Sequence, residues 1–166
     1  MKTKEKIKLM LVDDHLVVRM GIASILSFDP DFEVVGQADS GAEALSMVQT
    51  LKPDVVIMDL MMPDMDGVEA TRQIHAVRPD VRILVLTSFG TSVEVHHAIE
   101  AGATGALVKT STQDEICSAV RQVFNGSASS ALKSKTPSNA PTTTQRYLSS
   151  RRRFCCSSQA VIQTRT

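Results

Sequence analysis

Long hydrophobic runs are missing from this chain. Hydrophobic residues make up 43% of its 166 positions, but the apolar runs are short, so none reads as a transmembrane span. The basic N-terminal stretch MKTKEKIKLM leads into a short apolar run that meets Asp13-Asp14, which excludes a secretory signal. Cysteine is scarce. Cys117, Cys155 and Cys156 are an odd number without zinc-type spacing, and this fits free thiols in a reducing cytoplasm. Acidic residues are absent from Ser127 onward, where Lys133, Lys135, Arg146, Arg151, Arg152, Arg153 and Arg165 give a charge of +7. The whole chain is neutral, so residues 1–126 carry −7. An acidic domain of ordinary size is therefore followed by a basic tail, and the two are read separately.

Five apolar runs alternate with five helical patterns. The runs are Ile7–Val12, Phe32–Gly36, Val55–Met58, Val81–Leu86 and Ala106–Val108. Short continuous runs predict strands buried on both faces, as in a parallel sheet. Helical stripes follow at Val18, Ile22, Ile25 and Leu26, then at Leu45, Val48 and Leu51, then at Ala70, Ile74 and Val77. Two more lie at Val95, Ala98, Ile99 and Gly102, and at Ile116, Ala119, Val120 and Val123. Ser40 with Glu43 and Thr112 with Glu115 have capping-box spacing, Pro79 stops the third helix and Gly126 the fifth. The alternation predicts a doubly wound α/β fold with a central five-stranded parallel sheet over residues 5–126. Beyond Gly126, Ser, Thr, Pro and Asn dominate to about Thr144. That composition buries too little surface to offset ordering entropy, so residues 127–166 are expected to be a linker or disordered tail.

Sites in such sheets lie at the carboxyl ends of the strands. There the chain places Asp13-Asp14, Asp59, Thr87-Ser88 and Lys109. A single Asp at a strand end is ordinarily a helix cap or a turn residue. An acid pair, a third acid, a hydroxyl and a lysine on successive elements point instead to a metal–phosphate site. Crowded carboxylates repel, and a hard cation such as Mg²⁺ relieves that repulsion. A carboxylate is also a nucleophile toward phosphorus. The phosphoryl oxygens then need donors, and Lys109 and Thr87 are of the right type.

The segments LMLVDDHLVVRMGIASIL, PDVVIMDLMMPDMDGVEA, ILVLTSF and AGATGALVKTS resemble the receiver domain of bacterial two-component response regulators. VDDHLVVRMGI resembles the NarL/FixJ subfamily in particular, and the likeness covers about three quarters of the chain. The resemblance implies the flavodoxin-like (βα)5 receiver fold, with Asp59 as phosphoacceptor. It implies Mg²⁺ held by Asp14, by Asp13 through water, by Asp59 and by the backbone carbonyl of Met61. Thr87 would be the switch hydroxyl, Lys109 the phosphate-pairing lysine, and Pro63 and Gly67 would shape the loop. The implied donor is a cognate sensor histidine kinase, with small phosphodonors as substitutes. A homologous receiver is an implied dimer partner. Receivers usually carry Tyr or Phe three residues before the lysine, and that position is Ala106. The departure leaves the chemistry of Asp59 untouched but removes the usual aromatic read-out.

Other residues suit plainer roles. His15 could pair with a carboxylate, but a polar residue at a helix start is the preferred reading. His96 and His97 are adjacent helical positions that cannot both face one metal. Met58, Met61, Met62 and Met65 read as core or loop filler rather than a soft-metal site. Cys117 reads as packing, and Asp64 and Asp66 as a turn with an N-cap.

An aspartyl-phosphate phosphatase is the enzymatic alternative. Such enzymes commonly place a second acid two residues after the nucleophile, where this chain has Met61. Regulators resembling this subfamily usually end in a LuxR-type helix-turn-helix that binds DNA, and nothing here matches its opening in frame. When each new codon takes the last base of one residue and the first two of the next, residues 146–160 can spell LSEKEEEVLLLVAG. Two of those leucines are forced, at Phe154–Cys155 and Cys155–Cys156. The tail is therefore read as a possible frameshifted remnant of a DNA-binding domain, which the coding nucleotide sequence would test. Sequence-selective DNA binding is expected only of an intact output domain, because scattered positive charge gives binding without sequence preference. A receiver lacking that domain could act as a decoy for a kinase or for a homologous receiver.

Overall fold

The apolar runs are too short for helices and are bounded by turn residues, so each becomes a strand. The computed structural model describes residues 5–88, 92–127 and 129–130. Its strands are β1 (Ile7–Val12), β2 (Phe32–Ala38), β3 (Val55–Asp59), β4 (Arg82–Thr87), β5 (Gly105–Val108) and β6 (Ser129–Ser130). Its helices are α1 (Leu16–Ser27), α2 (Gly41–Leu51), α3 (Gly67–Val77), α4 (Ser92–Glu100) and α5 (Gln113–Phe124). The strands pair in the order β2-β1-β3-β4-β5-β6, all parallel. This is the doubly wound, flavodoxin-like arrangement. The strand order changes direction at β1, which opens a crevice beyond the carboxyl ends of β1 and β3.

Alternation along each strand divides the core in two. Leu9, Leu11, Ile57, Leu84 and Leu107 pack with Ile22 and Leu26 of α1 and with Ile116, Val120 and Val123 of α5. Met10, Val12, Val56, Met58, Ile83 and Val85 pack with Ala44 and Val48 of α2, Ala70 and Ile74 of α3, and Val95 and Ala98 of α4. Early and late segments of the receiver are tied on the first face. Arg121 of α5 pairs with Asp29 at 2.5 Å across 92 residues of sequence. Its guanidinium also lies 4.8 Å from the centre of the Phe32 ring.

The helix ends follow local chemistry. Thr112 and Glu115 close a reciprocal capping box at the start of α5. Ser40 accepts from the amide of Glu43, but the Glu43 carboxylate reaches the amide of Asp39 rather than that of Ser40. Gly126 adopts φ 76°, the left-handed conformation that suits glycine after a helix. Two stripe residues depart from expectation. Val77 and Ile99 are 47% and 45% exposed, because Val77 is the last residue of α3 and Ile99 follows Ala98, which holds the sheet-facing position. The buried place on α3 next to Ile74 goes to Thr71. Leu26→Ala is accordingly expected to cost about 2–5 kcal/mol in urea unfolding, whereas Ile99→Ala should stay within about 0.5 kcal/mol.

One strand exceeds the expected five. Ser129–Ser130 form β6 against Gly105 and Ala106 of β5, within the stretch read as linker. Two serines carry no hydrophobic pattern by which a strand could be read. The cationic residues of the tail, Cys155, Cys156 and the frameshift reading of residues 146–160 lie outside the described residues. Cys117 is a buried free thiol whose pKa is raised, chiefly by burial, as packing requires. His96 and His97 are exposed on α4, and His96 Nε2 lies 3.4 Å from the Glu100 carboxylate. Among the described residues no helix is long and apolar enough to cross a membrane.

Candidate functional site

The register of β1 on β3 pairs Val12 with Met58, so the next residues, Asp13 and Asp59, emerge side by side. Both are buried. Lys109 follows β5, where its amide donates to the Thr87 carbonyl at 2.9 Å. Its side chain crosses to the acids. Lys109 Nζ donates to Asp59 Oδ2 at 2.8 Å and lies 2.7 Å from Asp13 Oδ2. The latter contact is one of charge, because Asp13 Oδ2 accepts no hydrogen bond of good geometry. The other carboxylate oxygens are held by main chain. Asp13 Oδ1 accepts from the amide of His15 at 2.8 Å, and Asp59 Oδ1 accepts from the amide of Met61 at 3.3 Å. Asp14 is half-buried beside them.

Three carboxylates against one ammonium leave an excess of two negative charges. Burial pushes the Asp59 carboxyl up. Hydrogen bonds from Lys109 and the Met61 amide oppose the rise, the charge of Asp13 adds to it, and the net shift remains upward. Burial pulls the Lys109 ammonium down, but the close carboxylates of Asp13 and Asp59 outweigh it and leave its pKa raised. Removing that ammonium strands two buried carboxylates. Lys109→Met is expected to lower stability by roughly 3–5 kcal/mol, and an unchanged urea midpoint would show that the lysine is not what offsets them.

The loop after Asp59 is shaped by its glycine. The Gly67 amide donates to the Leu60 carbonyl at 3.0 Å. A Cβ on Gly67 would fall on the Asp59 carbonyl oxygen and within 2.7 Å of Leu60 Cα. Exposed Pro63 accepts from the Met65 amide at 2.8 Å, Asp64 takes φ 65°, and Asp66 caps α3 by accepting from Glu69. Met61 exposes 61% of its surface, while Met58 and Met62 are core. Thr87 is buried at the end of β4. Ala106 lies buried in the cluster under α4, so no ring occupies that position.

Two further side chains stand beside the acids. His15 occupies the N-cap position of α1 but makes no side-chain capping bond. Its Nδ1 instead lies 2.7 Å from Asp14 Oδ1 and 3.4 Å from Asp13 Oδ1. Arg19 donates from Nη1 to the Asp13 carbonyl at 2.5 Å, and its Nε is buried with no partner among the described residues. Arg19 stands one helical turn beyond His15, and helical side chains lean toward the N-terminus. That spacing was the available signal.

Asp13, Asp14, His15 and Asp59 each offer one ligand atom, all within 4.8 Å of one another. Donors about 2.1 Å from an octahedral ion are at most about 4.2 Å apart, so a small contraction closes the set around a cation. Hard oxygens in negative excess fit a hard divalent ion.

The response regulator receiver domain family matches residues 9–121. The chain belongs to that family. Response regulator protein VraR of Staphylococcus aureus is 48% identical to the receiver over 120 residues, which are 72% of this chain and 57% of VraR. The chain thus spans little more than half the length of that relative. The receiver domain of the response regulator NarL from Mycobacterium tuberculosis superposes with a TM-score of 0.71 at 35% identity, covering 74% of this chain and 98% of that one. A LuxR-family response regulator from Aurantimonas gives 0.72 at 35% identity over 75% of this chain and 89% of its own. Receivers of this kind are signalling modules, and these relatives are response regulators.

Proposed function

We propose that Asp59 is the phosphoacceptor of this receiver and that its donor is the phosphohistidine of a sensor histidine kinase. The observation that carries the reading is the Asp59 carboxylate, buried at the strand end with its two oxygens oriented by Lys109 and the Met61 amide. In the transfer an Asp59 oxygen forms a bond to phosphorus as the phosphorus–nitrogen bond of the donor breaks. The imidazole leaves with the electron pair. Lys109 and Thr87 donate to the phosphoryl oxygens. Asp14, Asp59, the Met61 carbonyl and, through water, Asp13 would hold Mg²⁺. When bound, that ion supplies positive charge against the phosphoryl group. Pro63 and Gly67 keep the loop at the distance this requires. The place of action is the cytoplasm, where the kinase's transmitter and a homologous receiver are the partners. A phosphatase is disfavoured by the exposed thioether of Met61, where turnover would call for an acid.

Intact-mass analysis with acetyl phosphate should show a single phosphoryl adduct that requires Mg²⁺ and is lost on chelation. Asp14→Ala should weaken Mg²⁺ binding by about tenfold or more. Equal affinities in calorimetric titration would refute the metal role, and an adduct insensitive to chelation would refute the chemistry.

A further inference from the structure

We propose that Arg19 is a positioning residue for the acid pair: by holding the Asp13 main-chain carbonyl it sets the direction in which Asp13 and Asp14 meet Mg²⁺. The inference rests on the reading of the cleft as a Mg²⁺ site and adds to it a residue from outside the carboxylate cluster. Asp13 follows the last residue of β1, and α1 begins only at Leu16. The Asp13 carbonyl therefore lies beyond the strand and ahead of the helix, where a main-chain acceptor needs a donor from elsewhere. Arg19 supplies one. Its Nη1 reaches back six residues to that oxygen at 2.5 Å. The arginine is itself anchored. Its amide donates to the His15 carbonyl at 3.1 Å, and its helix packs Ile22 and Leu26 into the core.

That carbonyl belongs to the planar peptide unit joining Asp13 to Asp14. Fixing its oxygen fixes the torsions on either side, ψ of Asp13 and φ of Asp14, and with them the angle between the two side chains. The Asp13 amide is held from the other direction, by the Ala38 carbonyl at 3.3 Å. Asp13 and Asp59 each have a carboxylate oxygen held by a main-chain amide. Asp14 is partly exposed beside an exposed ring and takes its direction mainly from the peptide behind it. Arg19 Nε is buried without a partner among the described residues. A dry N–H weighs against the fold, so this guanidinium is a poor choice for stability alone. Its charge argues against a purely electrostatic role. A cation near three carboxylates repels an incoming ion, so removing it would tighten Mg²⁺, whereas loss of positioning loosens it.

Mg²⁺ titrations of the ¹⁵N-labelled full chain, followed through the Asp14 and Met61 amides, should show binding about tenfold weaker in Arg19→Ala. Arg19→Lys should return to within about threefold of wild type, because a single N–H can meet a single carbonyl. Adduct formation from acetyl phosphate should need more Mg²⁺ in Arg19→Ala and approach the wild-type rate at saturation, since Asp59 is oriented by Lys109 and the Met61 amide. Mg²⁺ affinity in Arg19→Ala equal to or tighter than wild type would overturn the role of Arg19 and leave the acid site standing. So would a saturating rate lowered as much as the affinity, which marks a general loosening of the fold. A wild-type chain that does not respond to Mg²⁺ would overturn both.

Discussion

Asp59→Asn is expected to abolish the phosphoryl adduct and, at neutral pH, to raise the melting temperature. The first effect is all or nothing, because the amide is no nucleophile toward phosphorus. The second follows from burial. Asp59 is fully buried, and its carboxyl is pushed above the ordinary 3.8, mainly by desolvation. A pKa raised in the folded state means that the fold binds this proton more tightly than the unfolded chain does. The corresponding stability is fully present below the ordinary value and is lost as pH rises through the raised one. At pH 7 the ionised group therefore weighs against folding, and Asn relieves it. The advantage of the variant should be widest near neutrality and should shrink as pH falls toward 4. A lower melting temperature for Asp59→Asn at pH 7 would mean that the pairing with Lys109 outweighs desolvation. An adduct that survives in the variant would remove Asp59 from its role.

Gly67→Ala should destabilise the receiver by about 3 kcal/mol or more. The added methyl meets main chain, the Asp59 carbonyl and Leu60 Cα, and backbone cannot swing aside as a flexible side chain can. Either β3 or the start of α3 must move. Because Asp59 itself is the residue displaced, the rate of phosphorylation by acetyl phosphate should fall by about 10²-fold, as about 1 Å of misplacement can cause. Gly21→Ala is the matched control. That glycine lies in α1 with nothing within 4 Å of an added Cβ, and alanine there should stabilise by about 0.5–1 kcal/mol. Coincident melting curves for Gly67→Ala and wild type would show that the loop closes on the strand less tightly than described.

Most of the fold was readable because the apolar runs and stripes are strong and each element is punctuated. The strands needed no more than their hydrophobic continuity, and α5 showed its full buried stripe together with its capping box. What escaped lacked a hydrophobic signature or depended on distant neighbours. Thr71 is a polar residue in a buried stripe, and β6 is two serines. Val77 and Ile99 look like core residues until the footprint of the sheet beneath their helices is known. At the site, the acids and the lysine could be nominated from their places at strand ends. His15 could not be assigned a partner until the turn into α1 brought its ring onto Asp14, and Arg19 acts on a carbonyl that no sequence pattern displays.

The dependence of one core face on α5 bears on how the chain comes to fold. Leu9, Leu11, Leu84 and Leu107 are covered on that face by residues up to Val123, and Arg121 joins Asp29 only across 92 residues. During synthesis the first four βα units can be complete while this face still meets water. Contacts of such long sequence separation form late, and a nascent sheet with an open apolar face is prone to aggregate. The receiver must therefore pass through an interval of vulnerability that ends only when its last helix has left the ribosome and docked.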